Sequence, residues 1–256
     1  MSEPRLTALP AFEDNVVWLM ADADRDAVVV DPGDAAPVRA ALARSGLHLR
    51  AILLTHHHAD HIGGAAALAD DTGAIIVAPV DPRIPSADRR VGAGDRVELD
   101  RPAFAFDVIA VPGHTTSHVA FHGHGLLFCG DTLFSVGCGR LFEGTPAQML
   151  DSLDRIARLP ATTRICCGHE YTLANCAFAR TIEPDNVALA RRTTECDALR
   201  ARGEPTLPST LADELACNPF LRIDAPALVG ALGAGSRTER FAALRERKDA
   251  FRAPAR

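Results

Sequence analysis

The sequence predicts a layered α/β domain followed by a smaller helical region. Two observations support this fold class. Up to residue 168, short β-branched runs alternate with helical patterns, which is typical of sheets covered by helices. After residue 168 the β pattern stops, and one helical stretch follows another. We therefore predict an α/β domain over 1–168 and an all-helical domain over 169–256.

Eight apolar runs in the first domain have the length and composition of buried strands. They lie at 15–20, 27–30, 51–54, 74–78, 106–111, 119–122, 125–129 and 164–167. Helical patterns lie near 37–44, 61–71 and 146–158, and the turn sequences DPG, PGHT and GDT separate elements. In such domains, ligands bind at the carboxyl ends of the strands.

The second domain is predicted to contain helices near 171–181, 185–201, 208–216 and 237–250. Ser236 and Glu239 have the spacing of a capping box, which predicts the start of the last helix. Between Arg237 and Arg256 there are seven Arg or Lys residues against three acidic ones, although the whole chain has a formal net charge of −6. Positive charge concentrated at one end of an acidic chain indicates an anionic ligand.

Composition excludes several classes of protein. The negative net charge argues against a general nucleic-acid binder. No apolar run approaches the ~20 residues that span a bilayer, and the first residues lack the pattern of a secretory signal. The seven cysteines are odd in number and show no paired spacing, which favours reduced thiols. We expect a cytoplasmic, monomeric protein with no nucleic-acid or membrane partner.

The stretch THHHADHIGG, residues 55–64, concentrates metal-binding side chains directly after a predicted strand. Alternate residues of extended backbone face the same way, so His56 and His58 can bind one ion together. Asp60 and His61 begin the next predicted helix and can face a second ion. His57 points away from its neighbours and is expected to pack or to support a ligand.

Three more potential ligands follow later strands. His114 lies in VPGHT, Asp131 in FCGDT and His169 in CCGHE, each after a glycine at the carboxyl end of an apolar strand. The full set is then five imidazoles and two carboxylates. Because one zinc-like ion takes about four ligands in all, the set predicts two ions that share one carboxylate. Nitrogen and carboxylate ligands without thiolate suit Zn, Fe or Mn.

The remaining candidate residues are interpreted as structural. Four histidines lack the ligand spacing: His48, His118, His122 and His124. Three cysteines end predicted strands and are interpreted as small buried hydrophobes: Cys129, Cys166 and Cys167. A histidine-rich structural zinc site is the alternative for the whole cluster, but structural zinc is usually closed by four ligands dominated by cysteine.

Taken together, these motifs resemble the metallo-β-lactamase superfamily and, within it, the glyoxalase II (hydroxyacylglutathione hydrolase) family. The resemblance covers nearly the whole chain, through THHHADHIGG, PGHT, CGDTLF, GCGRLFEGT, CCGHEYT, NPFLR and RERKDAF. The first motif is typical of the superfamily, whereas GCGRLFEGT and the basic C-terminal helix are typical of the narrower family. The resemblance implies a four-layer αββα sandwich followed by a smaller all-helical, glutathione-binding domain.

The resemblance also implies the roles of individual residues. One divalent ion would be held by His56, His58 and His114, and the other by Asp60, His61 and His169, with Asp131 between them. Asp131 and Asp60 would be the catalytic carboxylates, acting with a metal-bridging hydroxide. The glutathione moiety would be bound by Arg140, Tyr171, Arg245 and Lys248. Phe142 stands where some members have tyrosine, so it is expected only as a wall of the pocket.

The implied reaction is the hydrolysis of S-(2-hydroxyacyl)glutathione thioesters. For S-D-lactoylglutathione the products are D-lactate and glutathione, and the reaction is the second step of methylglyoxal detoxification. Two ions ~3.5–4 Å apart can lower the pKa of a shared water to around 7 and supply hydroxide for attack on the thioester. The thiolate leaving group, with a thiol pKa of about 8.5, can depart without a dedicated general acid.

Composition supports the proposed glutathione contacts independently. Lys248 is the single lysine beside twenty-six arginines, and Tyr171 is the single tyrosine. Lys248 lies three residues after Arg245, on the same face of the predicted helix. Both rare residues fall on proposed ligand-binding positions.

Three other functions remain open at this stage. A β-lactamase of the same superfamily is disfavoured by Asp131 and by the helical C-terminal region. A glutathione persulfide dioxygenase, which uses one iron, is disfavoured by the GCGRLFEG and RERKDAF stretches. A metal-dependent binding or sensor protein would show no turnover, so a thioester hydrolysis assay separates it from an enzyme.

Overall fold

The structure is a computed structural model that describes residues 4–253. The backbone clusters into two compact units. The first contains the described residues up to Ala110 together with Ser117–Gly130, and the second contains Val111–Thr116 together with the described residues from Asp131 onward. The domain boundary after residue 168, which follows chain order, stays a prediction.

The first unit contains a six-stranded sheet whose strands are adjacent in chain order: β1 (Arg5–Ala11), β2 (Asn15–Ala21), β3 (Asp26–Val30), β4 (His48–Leu53), β5 (Ile75–Pro79) and β6 (Arg89–Val91). β1 to β3 are antiparallel, whereas β3 to β6 pair in parallel. Every residue of β2 and β3 is buried, which explains their continuous apolar runs. The parallel pairing brings the carboxyl ends of β3 and β4 to one edge.

Three helices lie between strands of this sheet in the chain: α1 (Ala35–Ser45) after β3, and α2 (Ala59–Ile62) and α3 (Ala65–Thr72) after β4. The apolar faces of α1 and α3 share a core cluster with the sheet, which includes Val38, Ile52 and Leu68. The same unit contains four further strands, each antiparallel to the next: β7 (Arg96–Glu98), β8 (Ala105–Ala110), β9 (Val119–Gly123) and β10 (Leu126–Gly130).

The second unit is mainly helical. Its short strands form two antiparallel pairs, β11 (Leu133–Phe134) with β12 (Gly137–Cys138), and β13 (Arg164–Cys167) with β14 (Ser209–Thr210). Its helices are α4 (Pro146–Ile156), α5 (Thr172–Ile182), α6 (Val187–Ala201), α7 (Leu211–Cys217), α8 (Pro226–Leu232) and α9 (Arg237–Ala250). Helices α5 to α7 pack around a small core that includes Cys176, Leu189 and Cys217.

The predicted helix over 61–71 is wrong as a single element, because the chain breaks it at Gly63 and Gly64. The Gly64 N–H donates to the carbonyl of Pro32 at 2.8 Å instead of continuing the helix. A Cβ on Gly64 would lie 2.5 Å from the backbone nitrogen of Ala35, and one on Gly63 would lie 2.6 Å from the carbonyl oxygen of Gly33. The two glycines therefore allow the close backbone approach that anchors α2 beside the end of β3.

Other expectations about the elements have mixed outcomes. The last helix is confirmed at 237–250, and both hydrogen bonds of the predicted Ser236–Glu239 capping box are formed. β1, β6, β7, β11, β12 and α8 lie outside the predicted elements, because these segments are short or carry charged residues that break the apolar pattern. The helix predicted over 208–216 begins only at Leu211, because Ser209 and Thr210 form β14. Among residues 4–253, no helix is long and apolar enough to cross a membrane.

Candidate active site

The first unit places four of the predicted metal ligands in two pairs. In the segment after β4, His56 Nε2 lies 3.1 Å from His58 Nδ1. At the start of α2, His61 Nε2 lies 3.4 Å from Asp60 Oδ2. The extended backbone up to His58 and the helical backbone from Ala59 produce this pairing, as the sequence predicts.

Hydrogen bonds fix which ring nitrogen each of two histidines presents. Thr55 Oγ1 donates to Asp31 Oδ2 at 2.7 Å, so it accepts from His56 Nδ1 at 3.0 Å. His61 Nδ1 donates to the same Asp31 oxygen at 3.1 Å, because a carboxylate only accepts. Both imidazoles are therefore held with Nε2 as the nitrogen that can bind a cation.

Asp31 is a candidate site residue that the sequence pattern does not reveal. Its donor oxygen lies within 4.8 Å of those of His56 and His61, so the three form a candidate metal cluster. However, its Oδ1 accepts from the Thr55 N–H at 2.8 Å, and its Oδ2 accepts from Thr55 and His61. Both oxygens thus accept hydrogen bonds, through which Asp31 orients the side chain of His61 directly and that of His56 through Thr55.

Asn15 was also missed. Its Nδ2 donates to Asp60 Oδ2 at 3.0 Å and to the Asp60 carbonyl at 3.2 Å. These contacts hold the carboxylate at the start of α2. His118, interpreted from sequence as structural, packs its ring on His56 with 4.5 Å between ring centroids.

His57 faces a different partner from its neighbours. Its Nδ1 lies 3.5 Å from Asp81 Oδ2. Asp81 is buried and accepts hydrogen bonds from Ser117 Oγ and from Arg83, whose guanidinium holds the pKa of Asp81 well below its usual range. His57 therefore belongs to a supporting network and takes no part in the candidate metal clusters found among the described residues.

We expect His57→Ala to keep most of the metal and activity, whereas His58→Ala should empty a site, because His58 Nδ1 lies beside His56 Nε2 and His57 faces Asp81. Elemental analysis of the two purified variants after desalting measures this directly. Equal metal loss in both variants would show that the ligand assignment in this segment is wrong.

The second unit holds the other three predicted ligands together. Asp131 Oδ2 lies 3.4 Å from His114 Nε2 and 3.3 Å from His169 Nε2, and all three side chains are nearly buried. His114 Nδ1 donates to the Arg140 carbonyl at 2.8 Å, which leaves its Nε2 facing Asp131. One carboxylate oxygen therefore lies between imidazole nitrogens from two different loops, an arrangement that suits a divalent cation on either side.

Gly139 makes this arrangement possible. A Cβ at this position would lie 1.8 Å from the Asp131 carbonyl oxygen and 3.3 Å from His114 Nδ1. The glycine between Cys138 and Arg140 thus lets the chain pass directly against two of the predicted ligands.

A cavity of about 380 Å³ in the second unit contains all four predicted glutathione contacts. Arg140, Tyr171, Arg245 and Lys248 line it. His114 and Asp131 lie in its wall as well. The sequence placed these residues far apart along the chain, and the fold brings them to one surface; their role in binding stays a prediction.

Two arginines that line the cavity donate hydrogen bonds to the same carboxylate. Asp249 Oδ1 accepts from Arg140 Nε at 3.2 Å and from Arg245 Nη2 at 3.0 Å. Arg245 is almost fully buried, and it also donates to the Cys138 carbonyl at 2.7 Å and stacks over Phe220. Arg245 is therefore a structural residue as well as a wall of the cavity.

The Lys248 ammonium lies close to two aromatic rings. Its nitrogen lies 5.4 Å from the ring centre of Phe178 and 5.5 Å from that of Phe251. Burial, together with the nearby Arg245 charge, lowers the pKa of Lys248 to about 8. The cavity is thus lined by a partly desolvated ammonium group, that of Lys248, which can pair with an anion.

Two aromatic rings border the predicted ligands. Tyr171 stacks on His169, with ring centroids 4.8 Å apart and an interplanar angle of 4°. Phe142 lies edge-on to His114 at 5.3 Å and is 61% exposed, so its ring is available as an apolar wall of the cavity.

Two protein-family models match successive parts of the chain. A model of the metallo-beta-lactamase superfamily matches residues 12–169, and a model of the hydroxyacylglutathione hydrolase C-terminus matches residues 170–251. A hydroxyacylglutathione hydrolase of Xanthomonas campestris pv. campestris (strain B100) is 55% identical over 97% of this chain and 100% of its own.

Two solved structures extend the comparison. ETHE1 from Myxococcus xanthus is 27% identical, with a TM-score of 0.67 over 94% of this chain and 89% of its own. TTHA1623, solved in a di-iron-bound form, is 30% identical, with a TM-score of 0.55 over 64% of this chain and 91% of its own.

The fold class is therefore that of the metallo-β-lactamases, with the additional helical C-terminal region that the sequence predicts. Within that class, the chain belongs to the hydroxyacylglutathione hydrolase family.

Proposed function

We propose that this protein hydrolyses S-(2-hydroxyacyl)glutathione thioesters, with S-D-lactoylglutathione as substrate in the second step of methylglyoxal detoxification. One observation carries the proposal. The carboxylate of Asp131, placed between His114 and His169, lies in the wall of the same cavity as Arg140, Tyr171, Arg245 and Lys248. Predicted metal ligands thus share a cavity with cations suited to an anionic substrate.

The metal assignment follows from the chemistry of the donors. His56, His58 and His114 would hold one divalent ion, and Asp60, His61 and His169 the other, with Asp131 shared. These imidazole and carboxylate donors fit zinc, and also iron or manganese. When bound, such ions act as Lewis acids and make a nucleophilic water available at neutral pH.

Hydrogen bonds within the chain orient the histidine rings that would hold the ions. Asp31, Thr55 and the Arg140 carbonyl fix the rings of His56, His61 and His114 before substrate arrives. Attack of water on the thioester carbonyl forms a C–O bond, and collapse of the tetrahedral intermediate breaks the C–S bond. The departing group is glutathione thiolate, which needs no general acid at neutral pH because its thiol pKa is about 8.5.

The glutathione moiety would be bound through ion pairs. Glutathione has two carboxylates and one ammonium, so its thioesters are anionic. Arg140 is largely exposed, and Lys248 is half-buried beside Phe178 and Phe251, so both can pair with a carboxylate of the substrate. Tyr171 adds an aromatic face next to His169.

The pKa of Lys248 gives a pH-dependent prediction. A lysine with a pKa of about 8 is charged below that pH and loses its charge above it, so KM for S-D-lactoylglutathione should rise between pH 7.5 and 9. The nearby Cys138 thiol does not cancel this change, since burial raises its pKa to about 11.

Lys248→Arg is the control for this pH profile, because arginine stays charged throughout the range. The substrate's own ammonium titrates equally in both proteins. A rise in KM that is as large in Lys248→Arg as in the wild type would exclude Lys248 as its cause.

A substrate panel tests the proposed function. The wild-type protein, carrying its metal, is assayed with S-D-lactoylglutathione, a small neutral thioester, a β-lactam and glutathione persulfide with oxygen. We expect the highest kcat/KM for the glutathione thioester. Faster turnover of the β-lactam or consumption of oxygen with the persulfide would assign a different activity.

We also propose that the enzyme works as a cytoplasmic monomer. All seven cysteines are buried thiols outside disulfide bonds, which suits a reducing compartment.

A further inference from the structure

The turn that joins β11 to β12 contains an unusual backbone conformation. Val136 has φ of 58°, in the left-handed region that β-branched residues rarely adopt, and its side chain is fully buried. Such a conformation persists only where surrounding contacts hold it. The turn, residues 133–138, is referred to below as the Val136 hairpin.

Buried polar side chains from several helices hold this hairpin. Glu214, on α7, accepts the Val136 N–H at 2.8 Å. Asn218, directly after α7, donates through Nδ2 to the carbonyls of Phe134 and Gly137 and to Glu214 Oε2. Glu214 and Asn218 are both fully buried, so these hydrogen bonds have no competition from water.

Helices α5 and α6 contribute two further contacts. Asn175 Nδ2 donates to the Ser135 carbonyl at 3.0 Å, and Arg192 Nη2 donates to Ser135 Oγ at 3.3 Å. Each residue of the turn from Phe134 to Gly137 is therefore bonded by at least one side chain of the helical part of the unit.

Two residues of the hairpin, Phe134 and Cys138, line the cavity. The Phe134 ring packs against His169 and Tyr171, at 5.9 and 5.2 Å between centroids. The Cys138 carbonyl accepts from Arg245, and Arg140 follows two residues later. A shift of the hairpin would therefore move an aromatic wall and both arginines of the cavity.

We propose that Glu214 and Asn218 are positioning residues for substrate recognition: by holding the Val136 hairpin in its strained conformation, they set the geometry of the glutathione cavity. The inference rests on the proposed function for the identity of the ligand. Neither residue lines the cavity, so their effect on binding is indirect. It is exerted on the glutathione part of the substrate more than on the reacting carbonyl.

The test compares Glu214→Leu with Glu214→Gln. Leucine keeps the approximate volume and removes the acceptor, whereas glutamine keeps an acceptor for the Val136 N–H. Burial raises the pKa of Glu214, so the neutral glutamine is a fair substitute. We expect Glu214→Leu to raise KM for S-D-lactoylglutathione by about tenfold, with a smaller fall in kcat because the Arg140 carbonyl also accepts from His114, and glutamine to restore the wild-type values.

Two further measurements separate positioning from general destabilisation. KM for a small neutral thioester should change much less in Glu214→Leu, because that substrate lacks the glutathione moiety. Glu183→Leu is the matched control: Glu183 is a buried glutamate paired with Arg222 in the same unit, so its loss should lower the melting temperature without changing KM.

The proposal is overturned if folded Glu214→Leu has the wild-type KM, or if both thioesters are affected equally. If Glu214→Leu does not fold, Asn218→Ser replaces it, because this change removes the donors to the carbonyls of Phe134 and Gly137. A wild-type KM in folded Asn218→Ser, or an equal effect on both thioesters, would likewise overturn the proposal. Calorimetric binding of S-methylglutathione, which cannot be hydrolysed, gives a readout without turnover. Weaker binding in the variants would support the positioning role even if the wild type hydrolyses no thioester, a result that would overturn only the proposed function.

Discussion

Asp131→Ala is expected to reduce thioester hydrolysis to the detection limit, by about 10³-fold or more, which corresponds to roughly 4 kcal/mol of transition-state stabilisation. The physical reason is its position: one carboxylate oxygen lies within 3.4 Å of nitrogens from both His114 and His169. Its removal should therefore weaken metal binding on both sides at once. Elemental analysis and kcat/KM for S-D-lactoylglutathione, measured on the same preparation, check the prediction.

Asp26→Ala is a suitable control for this variant. Asp26 is also a buried carboxylate, and its partners Arg50 and Arg101 hold its charged form, although burial opposes this. Its loss should lower stability but leave the metal in place. An Asp131→Ala protein that binds two ions tightly and turns over near the normal rate would contradict the binuclear assignment.

Lys248→Ala is expected to raise KM for S-D-lactoylglutathione by about 5- to 150-fold, the range that corresponds to the ~1–3 kcal/mol of a lost charge-assisted hydrogen bond. Because the contact is remote from the reacting carbonyl, kcat should change little. Metal content should not change. KM of the wild type should also rise with salt, since part of the attraction is screened.

Arg247→Ala provides the matched control, because Arg247 lies on the same helix, is exposed and does not line the cavity. It removes the same charge with little expected effect on KM. Arg245→Ala should raise KM too, but its loss also breaks the bond to the Cys138 carbonyl, so its melting temperature should fall. If Lys248→Ala affects a small neutral thioester as much as the glutathione thioester, Lys248 is not part of the glutathione site.

The proximity of the predicted ligands in the THHHADH stretch could be anticipated from the sequence because it depends on local pattern. His56 and His58 alternate on extended backbone, and Asp60 and His61 begin a helix, so spacing alone predicts which side chains lie together. The capping box at Ser236 likewise fixes the start of α9 from two residues.

The supporting residues could not be found in this way, because their contacts depend on pairing between distant segments. Asp31 reaches Thr55 and His61 only because β3 and β4 are parallel neighbours, with Val30 opposite Leu53. In the sequence, its DPG context indicates no more than a turn. The residues that hold the Val136 hairpin come from α5, α6, α7 and the segment after it, and nothing in the local sequence predicts that Val136 adopts a left-handed conformation.

The most direct test of the central claim is the stoichiometry of S-D-lactoylglutathione hydrolysis before and after removal of the metal. The thioester is followed by its ultraviolet absorbance, D-lactate by a coupled dehydrogenase and glutathione by thiol titration. We predict one D-lactate and one thiol for each thioester consumed, loss of activity in the chelator-treated protein and its recovery on addition of zinc. Hydrolysis no faster than the spontaneous reaction in protein that carries its metal would contradict the proposed function.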